Sequence, residues 1–570
     1  MNLRHTFVPL AVLLFASLTV VRPPLFAQGD RVPGLAAPTT ASPSALPAPV
    51  NLTAPPLART ATTAVLLWDR PAGGEAIESY QVFRDGVLAG ETPRLSFTAR
   101  NLTPNRQHRF TVRSRRSPGI SSVESEAVLV LSKAAGPVLN VRDRGARGDG
   151  VTPDTAAIQQ AIANCPPGGT VLIPPGVYAV DHLELKSDLT LEIVTGATLQ
   201  FRARGVGDFP SIPEKLAGPD GEVTVTNFSL LTARDAKNLT ITGGGRINGN
   251  GASWWPHRLE GPRPHLFKLV RCADVFVQDV TLEDPPAWNT HALYVDRAVF
   301  SGLTFLKVST VPGSNGDGLD PDSARDVLIV GCRFGNQDDS IAIKSGSVSA
   351  TRPFRQRATE NITIRDCLFD GTLAPGSRPL GIGIGSETSG GIRRVWIRDC
   401  EFRNAASMAY IKTNRERRGT VIEDVRVENC VFTNTAVVGQ AANRAAISID
   451  TMYYDPASPE LPVALTPETP VIRNVHFKNI FVEDTVRRGI TLVGLAESPV
   501  KNLTLTQVVV SARQGLHGQN LDGAALRDVT ITAREGPAFT WLNVPNRTLH
   551  SVSEGTASHT APVQPNRTNP

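Results

Sequence analysis

Two periodicities divide the chain. Between residues 51 and 133, short runs alternate apolar and polar positions: Ala64-Val-Leu-Leu-Trp68, Ser79-Tyr-Gln-Val-Phe83 and His108-Arg-Phe-Thr-Val112. A period of two puts every second side chain on one face, as in a half-buried strand. Arg84-Asp85-Gly86 follows one such run with residues that accept positive φ, which marks a hairpin. Strands this short, separated by Gly, Pro and Asn, predict a small β-sandwich over residues 46–133.

From Val138 a longer repeat takes over. One phrase returns as Lys237-Asn-Leu-Thr-Ile-Thr242, Ala273-Asp-Val-Phe-Val277, Arg325-Asp-Val-Leu-Ile329, Glu360-Asn-Ile-Thr-Ile364, Arg393-Arg-Val-Trp-Ile397, Glu423-Asp-Val-Arg-Val427, Arg473-Asn-Val-His-Phe477 and Lys501-Asn-Leu-Thr-Leu505. Steps between first apolar positions are 36 (Leu239 to Val275), 35 (Val327 to Ile362), 33 (to Val395) and 30 (to Val425). Each unit offers a strand, a turn with Asn or Asp and a second strand, without the long apolar stripe of a helix. Units that cover one another only by stacking predict an all-β solenoid over residues 138–550.

The cysteines agree with that register. Cys332, Cys367, Cys400 and Cys430 fall in one slot of four successive units, so they stack as a ladder. Rungs about 4.8 Å apart are within disulfide range, but side chains stacked in parallel point the same way, which opposes a bridge. Buried thiols packing as small hydrophobes are therefore expected. Asp154 is expected to cap a short helix, Thr155–Ile162, that covers the first coil.

Composition adds the flanks. Residues 1–27 read as an export signal, with Arg4 and His5 before the apolar run Phe7–Val21 and then Leu25-Phe-Ala27. The run is too short and broken for a membrane span, so no stable span is expected once it is removed. Residues 28–45, rich in Pro, Ala, Ser and Thr, read as a linker, and 551–570 as a disordered tail. These expectations place the protein in the periplasm or outside the cell. Residues 1–27 carry two arginines and no acid, so the net charge of +5 becomes +3 without them. That balance suits an acidic substrate and gives no argument for nucleic acid.

Chemistry concentrates in Asn315–Gly346, which holds Asp317, Asp320, Asp322 and the adjacent pair Asp338–Asp339 ahead of the alternating run Ser340-Ile-Ala-Ile-Lys344. Solvated turn acids are the bland reading of such a pair. Asp317 and the pair lie about one coil apart, however, so stacking brings three carboxylates to one face. Crowded carboxylates divide acid and base roles, because repulsion raises one pKa and leaves others ionised. Cleavage of a glycosidic bond needs such a division, with about 6.5–9.5 Å between the carboxyls of inverting enzymes.

Asn248-Gly-Asn-Gly-Ala-Ser-Trp-Trp255, Pro286-Ala-Trp288, Asn315-Gly-Asp-Gly-Leu-Asp-Pro-Asp-Ser323, Gln337-Asp-Asp-Ser-Ile-Ala-Ile-Lys-Ser-Gly346 and Gly385-Ser-Glu-Thr-Ser-Gly-Gly391 resemble the motifs of glycoside hydrolase family 28, the polygalacturonases and their relatives. The opening at residues 143–178 is similar to the entry of the pectate-lyase superfamily of right-handed parallel β-helices. The resemblance implies Asp338 as general acid, with Asp317 and Asp339 holding and activating water. It implies a pectic polysaccharide or oligosaccharide substrate and no metal or cofactor. Asn315, Lys344, Tyr410, Lys412 and Tyr453 are the candidate substrate-binding residues. Two departures stand out: Arg378-Pro-Leu-Gly-Ile-Gly-Ile-Gly385 lacks the histidine of Gly-His-Gly, and Tyr410-Ile-Lys412 replaces Arg-Ile-Lys. Losing that arginine removes a bidentate grip on a galacturonate carboxylate, so the pectic linkage stays open. The first domain resembles a fibronectin type III module, with His108 where that family has a tyrosine.

Other residues carry plainer readings. Lys344 and Lys412 serve equally as solvated rim lysines, and Tyr453 and Tyr454 as a packed loop. Trp254 and Trp255 read as loop packing, Glu387 as a turn residue, and His291 and His476 as surface or core residues rather than catalysts. Two rival functions remain at this level: a polysaccharide lyase with Ca²⁺ at Asp317, Asp320 and Asp322, and a non-catalytic β-helical glycan binder.

Overall fold

The computed structural model describes residues 46–555 except 75–76, 117–118, 204–211, 258–261, 349–352, 416–418, 435–443 and 455–457. The readings of residues 1–27 and 28–45 lie outside the described residues. So does most of the expected tail; the last strand, Thr548–Glu554, carries regular structure past Ser551.

The first domain is two antiparallel sheets around one core. One joins Val50–Thr53, Ala64–Asp69 and Ser96–Ala99; the other joins Val87–Thr92, Ser79–Arg84, Gln107–Arg116, Ile120–Ser121 and Val128–Leu131. Alternate residues of facing strands, among them Leu66, Trp68, Tyr80, Val82, Phe110 and Val112, fill the space between them. The Asp85-Gly86 turn has φ of 52° and 83°, the positive pair a tight hairpin needs. His108 is buried and its Nδ1 lies 3.1 Å from Oδ2 of Asp85, so it ties its strand to that turn.

The rest is a parallel β-helix from Val138–Asn140 to Thr548–Glu554, which among the described residues is one continuous set of 34 paired strands. Successive coils pair in parallel, for instance Val327 with Ile362, Ile362 with Val395 and Val395 with Val425. The recurrent Asn or Asp is explained by its backbone: Asn238, Asp274, Asp326, Asn361, Asp424, Asn474 and Asn502 all have φ between 51° and 58°. Short amide and carboxylate side chains tolerate this left-handed turn and bond along the stack, as Asn361 Nδ2 does to Asp326 Oδ1 at 2.7 Å. Inside, Phe305, Phe334, Phe369 and Phe402 stack at 4.4–4.9 Å between ring centres. All six cysteines are buried free thiols.

Two expectations need correction, and one element was not foreseen. The repeat missed a coil: Asp296–Ser301 pairs with both Ala273–Gln278 and Arg325–Val330, and Arg297 takes the left-handed slot instead of Asn or Asp. Asp154 does precede the helix Thr155–Asn164, but its carboxylate accepts from the backbone N–H of Arg147 and Gly148, not from the helix. An unforeseen antiparallel hairpin, Ile212–Gly218 with Gly221–Asn227, packs Leu216 and Val223 on Val270, Leu293 and Tyr294.

The sandwich is bolted to turns of the β-helix. Arg365 Nη2 donates to the carbonyl of Trp68 at 2.6 Å, Arg398 reaches Asp69 at 2.9 Å, and Arg100 reaches Asp279 at 2.6 Å. Ser96 bonds to Asp366. These turns follow the second strand of each coil, whereas the acids lie between the third strand and the first of the next coil.

Candidate active site

The first strands of successive coils, Leu319–Asp322, Ile341–Ile343, Ile382–Gly385, Ala409–Lys412 and Ile447–Asp450, form one sheet in strict register. Leu319 pairs with Ile341, and two residues ahead of each stand Asp317 and Asp339. The two acids therefore occupy the same turn on adjacent coils. Asn336 pins both turns: its Nδ2 donates to the carbonyls of Gly316 at 2.9 Å, Asp338 at 3.2 Å and Asp339 at 3.0 Å.

Within the pair, environments diverge. Asp338 is partly exposed, and among the described residues no salt bridge involves it; its Oδ1 accepts from the N–H of Asp339 at 2.9 Å. Its φ of 96° is costly for a side-chain-bearing residue, by roughly 1–3 kcal/mol, and strain of this kind gathers at functional sites. Asp339 is buried and held by two cations, Lys412 on Oδ2 and Arg444 on Oδ1 at 3.3 Å. Burial and the neighbouring Asp339 push the Asp338 carboxyl above its usual range. Burial also acts on Asp339, but Lys412 and Arg444 outweigh it and hold this acid below that range.

A second acid pair lies on the upstream coil. Lys344 Nζ stands 2.9 Å from Asp320 Oδ2 and 3.3 Å from Asp317 Oδ2, with all three side chains buried. Burial raises both acids, Asp320 to about 7, and Asp317 further through its closeness to Asp320. Trp288 roofs Lys344, whose Nζ is 3.1 Å from the ring centre. His291, read as a surface or core residue, is buried here, and its Nε2 is 3.1 Å from Asp322 Oδ2. Burial keeps His265 and His291 well below the usual imidazole pKa, hence neutral.

The rim-lysine readings of Lys344 and Lys412 are overturned, since both are buried against acids. Outward rows of a solenoid are roofed by the loops between coils, and strand alternation carries no sign of that roof. Tyr410 is buried, with its hydroxyl donating to Asp450 at 2.7 Å, and Tyr453 meets its ring edge-on at 6.2 Å. Tyr454 packs beside Tyr453 and is 79% exposed. Asn315 is exposed, its amide oxygen accepting from Arg263 at 2.9 Å. Trp254 and Trp255 are buried, with Trp255 Nε1 donating to Pro285 O at 3.2 Å.

Sequence reasoning missed Arg444. It stands outside every motif and reaches Asp339 from a later coil, with its guanidinium 4.8 Å from the centre of the Tyr410 ring. Its one signal was a basic residue just ahead of the alternating strand Ile447–Asp450.

The model of the glycosyl hydrolases family 28 matches residues 169–523. A probable polygalacturonase of Vitis vinifera is 27% identical over 384 residues, which cover 65% of this chain and 73% of that one. An exo-poly-alpha-D-galacturonosidase of Dickeya chrysanthemi is 26% identical over 379 residues, covering 52% and 62% respectively. Among solved structures, the family 28 exopolygalacturonase of Yersinia enterocolitica superposes with a TM-score of 0.69 at 20% identity, over 89% of this chain and 99% of that one.

Proposed function

The chain belongs to glycosyl hydrolase family 28, and from that premise we propose that it hydrolyses glycosidic bonds of galacturonan or a related pectic polysaccharide by single displacement with inversion. The observation that carries the reading is the unequal treatment of two adjacent acids. Asp338 is partly exposed and, among the described residues, in no salt bridge, and burial and Asp339 push its carboxyl up, which favours the protonated form; Asp339 is clamped by Lys412 and Arg444, which hold it down and favour the ionised form.

In this scheme the Asp338 carboxyl protonates the glycosidic oxygen as the bond to the anomeric carbon breaks. Asp339 accepts a proton from the attacking water, and the new C–O bond forms on the opposite face of the sugar. Asp317, one coil upstream in the same turn, completes the cradle for that water. Lys344 limits the charge there: with one ammonium for Asp317 and Asp320, both raised by burial, the group holds a proton near neutral pH. The cation amid these acids is a lysine of the chain itself, which favours hydrolysis over Ca²⁺-assisted elimination.

A uronate substrate fits the cationic, aromatic-walled side formed by Lys412, Tyr410 and Tyr453. The sandwich is read as a fibronectin type III-like module on its two-sheet topology. Its mooring on turns remote from the acids supports a structural role over one in extending the groove. Residues 1–27 are read as an export leader, which N-terminal sequencing of mature protein tests.

The test of function is incubation with polygalacturonate and a panel of pectic polymers, following new reducing ends, product anomers by NMR and ultraviolet absorbance. Reducing ends of inverted configuration without unsaturated uronate are expected. Unsaturated products would establish elimination, and retained configuration would remove the single-displacement scheme.

A further inference from the structure

Which of two adjacent carboxyls carries the negative charge is decided here by what stands on each side of them, and one of those groups is unaccounted for by any motif. Asp339 is faced by Asp338 on its own turn, by Lys344 on its own coil, by Asp317 and Asp320 upstream, and by Lys412, Tyr453 and Arg444 downstream. Lys344 bonds Asp320 and Asp317, so its hydrogen bonds are spent on the upstream acids. Lys412 reaches only Oδ2 of Asp339; Oδ1 is met by Arg444.

The seat of Asp339 is built for close approach. Gly383 lies between Asp339 and Tyr410 in the stack, and a Cβ there would stand 2.7 Å from Asp339 Oδ2 and 3.3 Å from Lys412 Cε. Absence of a side chain at this position leaves room for Lys412 on Oδ2, so that Oδ1 is the oxygen left for Arg444. Tyr410 then supplies a platform: its ring lies 4.8 Å from the guanidinium carbon, and its hydroxyl is fixed on Asp450. A cation over an aromatic face gains about 0.5–2 kcal/mol, more as water is excluded.

We infer that Arg444 is a positioning residue, seated on Tyr410, that clamps Asp339 on the oxygen Lys412 leaves free and so fixes which of the two acids bears the charge. The inference rests on the assignment of Asp338 and Asp339 proposed above. The low position of Asp339 on the pH scale agrees with it, since after the opposing effect of burial Lys412 and Arg444 are its main causes.

The test is the pH profile of kcat/KM on polygalacturonate for wild type, R444Q and R444K, with thermal midpoints measured in parallel. Removing the charge makes Asp339 harder to ionise. The acidic limb of R444Q should then move up by about one pH unit, the scale of a single nearby charge, with kcat lowered about tenfold at the wild-type optimum and KM changed less than threefold. R444K, which keeps the charge, should retain the wild-type limb. Loss of activity in R444Q with the limb unmoved, or a rise in KM alone, overturns the inference. An R444K limb displaced by a unit or more overturns it too, even where R444Q proves too unstable to assay. D338N and D339N, run alongside, separate the two claims: if either keeps near-wild-type turnover, the acid assignment itself has failed, whatever Arg444 does.

Discussion

Lys344 reaches Asp320 across two neighbouring coils, Nζ to Oδ2 at 2.9 Å, and both side chains are buried. The same ammonium lies 3.3 Å from Asp317, so one cation serves two acids. Such an arrangement is strong only while it is whole, because removing one partner leaves buried charge uncompensated.

Lys344→Met should therefore expose the acids to the full effect of burial. Without the ammonium, the folded-state pKa values of Asp317 and Asp320 rise further above the unfolded value. A raised acid binds more protons folded than unfolded, so stability falls as pH climbs from the unfolded pKa to the folded one. The loss in unfolding free energy relative to wild type should be small near pH 4 and large at pH 8, reaching roughly 3 kcal/mol as for other broken buried pairs. An equal loss at both pH values would show that packing against Trp288, not charge, is what Lys344 supplies.

Asp366 makes a related prediction at the seam between domains. Burial pushes it up to about 6, against the attraction of Arg94 and Arg365, while its carboxylate accepts from Ser96. The shift costs stability between about pH 4 and 6 as pH rises, and the cost persists at neutral pH. Asp366→Asn keeps an acceptor for Ser96 and removes the charge, so the variant should gain up to roughly 2 kcal/mol at pH 7.5 and little at pH 4. Calorimetry at both pH values checks this; a loss at pH 7.5 would mean that the ionised carboxylate, paired with Arg94, is what holds the seam.

The thiol ladder predicts a simple count. Protein unfolded without reductant should react with a thiol reagent at all six cysteines. Bridged cysteines among Cys332, Cys367, Cys400 and Cys430 would contradict the stacking of these side chains in one direction.

The register of the β-helix was legible because Asn and Asp recur where the backbone turns left-handed, one residue before each inward-facing apolar position. The coil opened by Asp296-Arg-Ala298 was not read, although an arginine in the same slot, Arg394, did not hide the coil of Val395. The acids were legible as a group because stacking turns a separation of one coil into adjacency. Burial of Lys344 and Lys412 was not, since period two distinguishes inward from outward but not roofed from open. Arg444 was invisible for a further reason: its contact with Asp339 spans 105 positions.

The most direct test of the account is the release of reducing ends from polygalacturonate by wild type and Asp338→Asn under identical conditions. Asparagine keeps the shape of the residue but has no proton to give the leaving oxygen. Turnover should fall at least about a hundredfold, the usual scale for losing a general acid, with KM little changed. Near-wild-type turnover of Asp338→Asn would contradict the central claim and take Asp338 out of the mechanism.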